Sequence, residues 1–150
     1  MPIVETDIII PAPLDAVYAV AKDIEKFPEF LPDVESVVII ERNATGFISD
    51  WVGVVEKLNR KIKWREQDEW DDTTHICRFR AVSGDWEKYD GVWSFTTVDG
   101  GTRMAMQLEC EVNVPLIGSL IKTLIGKLAK ANVVNMFEGI HQQVMRQVKV

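Results

Sequence analysis

Histidine and cysteine are scarce in this sequence, with two of each in 150 residues. Two cysteines, Cys77 and Cys110, cannot build a disulfide framework. Both stand in alternating apolar segments, where a buried, reduced thiol is expected. His75 and His141 are too few and too far apart for a metal-ligand set, so neither a metal nor another cofactor is expected. A nucleophile elbow, an HExxH pair and a phosphate-cradling glycine loop are all missing. Excess positive charge is missing too. The 17 basic residues are outnumbered by 23 acidic ones, for a net charge of −6, which argues against a nucleic-acid partner. No apolar run is long enough to span a bilayer, because Lys122 and Lys127 interrupt the longest one. The N-terminus lacks the basic start of a signal peptide, so a cytoplasmic protein is expected.

What the chain does contain is regular patterning over its whole length. Residues 1–150 read as a single domain. "IVETDIII" is strand-like and stops at Pro11 and Pro13. Leu14, Val17, Tyr18 and Ala21 then share a helical face, and a second short helix is expected from Ile24 to Leu31. Six further segments of strand character follow, separated by turns such as Asn43–Gly46, Asp71–Thr74 and the "DGG" at Asp99–Gly101. In the last strand Met104, Met106, Leu108, Cys110 and Val112 fall on one face, with polar residues on the other. That alternation marks a sheet covered on one side. After Pro115 the period becomes helical. Leu124, Leu128, Val133, Phe137, Ile140, Val144 and Val148 lie along one stripe of a C-terminal helix of about 30 residues, roughly 45 Å long at 1.5 Å per residue. The fold class is α+β, a curved antiparallel sheet wrapped on a long helix. Gly53 and Gly91, both mid-strand, are expected at bulges or bends.

The segment "IPAPLDAVYAVAKDIEKFPEFLPDVESVVI" resembles the opening of the START-like, or Bet v 1-like, superfamily, and in particular its polyketide cyclase/dehydrase branch with the coenzyme Q-binding START-like proteins. Gly84, Trp93 and Phe95 are spaced like a glycine, tryptophan and phenylalanine in those relatives. "VPLIGSLIKTL" and "NMFEG" resemble parts of their last helix. The resemblance implies the helix-grip fold, with about seven strands. It also implies a deep hydrophobic cavity between sheet and helix, suited to lipids, isoprenoid quinones or aromatic polyketides.

Candidate lining residues follow from phase. In "GDWEKYDGVWSF", Tyr89, Gly91, Trp93 and Phe95 share one face, assigned to the interior. Trp86 shares the other with Lys88. Rings with polar tips suit a guest that has one polar end. In "KIKWREQDEW", Ile62, Trp64, Glu66, Asp68 and Trp70 share a phase. An inward Glu66 must be paired, hydrogen-bonded or protonated, and Arg78 and Arg80 on the next strand are candidate partners. Trp51, Phe79, Met104, Met106, Leu108 and Phe137 complete the apolar wall, and His141 on the last helix is a further candidate. The segment Val114–Gly118 is expected to form an apolar lip at the entrance, as a gate or a transient membrane contact. Three functions stay open. One is binding or transfer of a hydrophobic small molecule. Another is an aromatase/cyclase or dehydratase, with Glu66, Tyr89 or His141 as acid/base. The third is a protein-interaction module. The sequence assigns no oligomeric state.

Overall fold

The computed structural model describes residues 3–55, 59–112 and 119–148. The elements run β1 (Ile3–Ile10), α1 (Leu14–Lys22), a 3-10 helix (Ile24–Glu29), β2 (Val34–Arg42), β3 (Gly46–Val55), β4 (Arg60–Asp71), β5 (Ile76–Gly84), β6 (Trp86–Val98), β7 (Gly101–Val112) and α2 (Ser119–Val148). The strands form one antiparallel sheet in the order β1-β7-β6-β5-β4-β3-β2. Sequence neighbours therefore pair throughout, except that β1 joins the far edge beside β7. This is the expected helix grip. Among the described residues, no helix is long and apolar enough to cross a membrane.

Local chemistry explains the elements. Pro13 stands at the N-terminal cap of α1 with extended backbone, where its missing N–H costs nothing. The second helix is tighter and shorter than expected, a 3-10 turn that contains Pro28. It drives Ile24 and Phe27 into the core, and Leu31 follows just beyond it. The α2 stripe has Val133, Phe137, Ile140 and Val144 buried, while Leu124 and Val148 are exposed. Helix α2 packs on β1, β7 and α1. Leu116 and Ile117, and with them the expected apolar lip, lie outside the described residues.

Gly53 stands at an irregularity, since it pairs with Val34 where the β2–β3 register shifts between Val34 and Ser36, whereas Gly91 lies in unbroken register on both sides. Other register shifts fall between Ile39 and Glu41, Arg65 and Glu66, and Trp86 and Lys88. Gly91 is small for a different reason: the Phe79 ring lies over its backbone. A Cβ there would stand 2.3 Å from Phe79 Cζ and 2.7 Å from the Gln107 carbonyl oxygen. Gly91→Ala is expected to destabilise the fold by about 1–3 kcal/mol, the usual range for overpacking. Urea unfolding checks this, and an unchanged midpoint would show that the ring moves aside freely.

Candidate functional site

A chamber of about 390 Å³ lies between the sheet and α2. Its floor is aromatic. Trp51 on β3 and Trp64 on β4 face each other in register and stack, with centroids 5.7 Å apart and planes 10° from parallel. Tyr89 lies 5.4 Å from Trp64 and 5.1 Å from Trp86. Leu108 on β7 joins them, and Leu128, Ala129, Asn132, Val133 and Met136 of α2 form the roof. Gly53 keeps the floor low beside the Trp64 ring, 3.4 Å from where its Cβ would be.

Both stacked indoles are tied down by their N–H groups. Trp51 donates to the buried Ser49 hydroxyl at 2.8 Å. Trp64 donates to Glu66 Oε1 at 3.0 Å. The rings are thus fixed in orientation with their apolar surface available to a guest. The Tyr89 hydroxyl has no protein partner among the described residues. Burial, and after it the Glu66 charge, push its pKa well above the ordinary value. It therefore stays protonated and can donate a hydrogen bond inside the chamber. The Asn132 carboxamide is a second lining group without a protein partner among the described residues.

Behind Trp64 sits a carboxyl pair. Glu66 is 5% exposed and Asp68 3%, two residues apart on β4 and both inward. Burial raises the Glu66 pKa well above its usual range, and the nearby Asp68 raises it further. Burial pushes Asp68 up to about 6. The Asp68 charge disfavours a second charge on Glu66, so the pair retains a proton more readily than an isolated carboxyl would. Asp68 Oδ1 has no partner among the described residues. The Trp70 indole favours the Asp68 charge, although its N–H closes no full hydrogen bond. The expected arginine partners are not there. Arg80 donates to Gln67 at 3.1 Å on the outer face, and Arg78 is opposite Glu69, also outside. The period-two geometry of β5 turns both away from the interior.

The chamber and the core divide the sequence-derived candidates. Trp51, Trp64, Tyr89 and Leu108 line the chamber. Phe79, Trp93, Met104, Met106 and Phe137 are buried in the packed core instead. There Trp93 stacks on Phe137 at 6.1 Å. Glu66 lies behind the wall and reaches the chamber through Trp64. His141 is half-buried beside Glu138 of its own helix, at 4.0 Å, and is not among the lining residues. Both cysteines are free and buried. Burial and the carboxyl pair push the Cys77 thiol up, away from nucleophilic reactivity.

Trp86 lines the chamber against its strand phase. The irregularity between Trp86 and Lys88 lets Trp86 and Tyr89 point the same way, although an unbroken strand would send positions three apart to opposite faces. The lining residues Asn132 and Met136 on α2 were also unmarked. They flank the apolar stripe, where one polar and one flexible side chain carry no distinctive signal.

A sheet gripping a long helix around an aromatic chamber defines a START-like binding fold. Residues 10–137 match the family described as "Polyketide cyclase / dehydrase and lipid transport", and the chain belongs to that family. It is 27% identical over 101 residues to a candidate polyketide cyclase of Streptomyces cyaneus, covering 67% of this chain and 66% of that protein. The matched part thus spans about two thirds of the curated relative's length. Among solved structures, TTHA0849 from Thermus thermophilus is 35% identical with a TM-score of 0.91, covering 97% of this chain and 99% of that one. The Zhui aromatase/cyclase from Streptomyces sp. R1128 is 17% identical with a TM-score of 0.89, covering 97% and 94%. That second likeness is one of fold.

Proposed function

We propose that this protein binds a hydrophobic small molecule with a ring-bearing or isoprenoid body and carries or presents it. The observation behind this reading is the chamber itself, walled by Trp51, Trp64, Trp86 and Tyr89 and roofed by α2. Its 390 Å³ falls in the range of small-molecule sites. Apolar burial supplies most of the affinity, at about 25 cal/mol per Å². Tyr89 and Asn132 fix orientation by bonding to one polar atom of the guest. The carboxyl pair stands behind Trp64 rather than in the lining, which favours holding a guest over transforming it. Glu66 acts as an indirect polar anchor, because it sets how firmly Trp64 is held.

The test is a titration with N-phenyl-1-naphthylamine, an uncharged aromatic probe. One saturable site is expected, with energy transfer from the chamber tryptophans to the probe. Tyr89→Phe should weaken probes that carry a carbonyl by roughly fivefold, the loss of one hydrogen bond, and spare probes without one. Non-saturable uptake, or none, would contradict the reading.

A further inference from the structure

We propose that Arg60 anchors an anionic group at one end of the guest, so that the chamber selects amphipathic molecules with an apolar body and a terminal carboxylate, sulfonate or phosphate. This rests on the binding function proposed above.

The exposed residues of the chamber lining are Pro32, Arg60 and Lys61 at the start of β4, Asp85, and Asn135 of α2, so the chamber meets solvent on that side. Four charged side chains line it there: Asp33, Asp85, Arg60 and Lys61. Three are already committed. Lys61 Nζ is 2.7 Å from Glu35 Oε1. Asp33 Oδ2 accepts from the Asn135 amide at 3.3 Å. Asp85 Oδ2 accepts the Lys63 backbone N–H at 2.9 Å. Arg60 has no side-chain hydrogen bond or ion pair among the described residues. In a chain of net charge −6, it is an uncommitted cation beside an apolar opening.

A guanidinium presents five N–H donors in a planar fork that fits a two-oxygen anion. Asp33 and Asp85 discourage a free inorganic anion from settling there. An anion attached to an apolar body is different, since burial of that body holds the charge in place against the local repulsion. The mouth therefore favours amphiphiles over both bare anions and wholly apolar guests.

The experiment compares two probes with the same ring system. 1-Anilinonaphthalene-8-sulfonate carries an anion and N-phenyl-1-naphthylamine does not. Arg60 is exposed, so Arg60→Gln and Arg60→Lys should both fold, which circular dichroism checks. Arg60→Gln is expected to weaken the sulfonate probe roughly tenfold and the neutral probe less than about twofold, with Arg60→Lys in between. Added salt should weaken only the sulfonate probe. Unchanged sulfonate affinity in Arg60→Gln, or an equal loss for both probes, overturns the proposal. A wild-type protein that takes neither probe overturns the binding function itself, and the anchor with it.

Discussion

Glu66→Gln is expected to stabilise the protein by about 1–3 kcal/mol near pH 8 and to change little near pH 5. The reason is the buried pair on β4. In the unfolded chain Glu66 and Asp68 titrate near their ordinary values of 4.5 and 3.8. In the folded chain Asp68 rises to about 6 and Glu66 rises well above its ordinary value, mainly through burial. The native state therefore holds protons that the unfolded state releases, and stability falls as pH rises through the folded values. Glutamine resembles the protonated acid. It can still accept from the Trp64 indole, and its amide can donate to Asp68. The substitution thus matters little at low pH and removes a buried charge at high pH. Asp50, Asp71 and Asp72 have lowered pKa values, so they act below about pH 4, outside this window. Urea unfolding of both proteins across pH 5 to 8 measures the effect. Parallel stability curves would show that the pair is not buried as described.

Ala129→Trp is expected to reduce uptake of an apolar probe at least about 100-fold with only a small change in stability. Ala129 lines the roof above the Trp51–Trp64 floor. An indole placed there enters open space rather than a packed core, so the overpacking cost is small. The guest, by contrast, loses the volume it needs. Probe titration and thermal unfolding together separate the two effects. Retained affinity in a folded variant would place the guest somewhere other than this chamber.

These expectations differ in how far the sequence alone could have supported them. The antiparallel sheet and the long last helix were legible because period two and period 3.6 are written plainly in β7 and α2. The inward face of β4 was legible too, since Trp64, Glu66, Asp68 and Trp70 share one parity. The partners of Glu66 were not, because an adjacent arginine in sequence register says nothing about which face it takes. The stretch from Trp86 to Phe95 shows the limit most clearly. Phase alone grouped Tyr89 with Trp93 and Phe95. The structure divides it differently, with Trp86 and Tyr89 on the chamber and Trp93 and Phe95 in the core. An irregular register resets parity without leaving a residue type behind to announce it. The extent of the chamber was hidden for a related reason. Where rings interlock, as Trp93 does on Phe137, the space closes, and where small residues such as Ala129 and Gly53 line it, it stays open.

The most direct test of the binding function is mass spectrometry of the protein purified from its own host, first native and then after solvent extraction. One bound molecule per chain is expected, with an apolar body and a terminal anionic group. An empty protein that also fails to take up N-phenyl-1-naphthylamine would contradict that function.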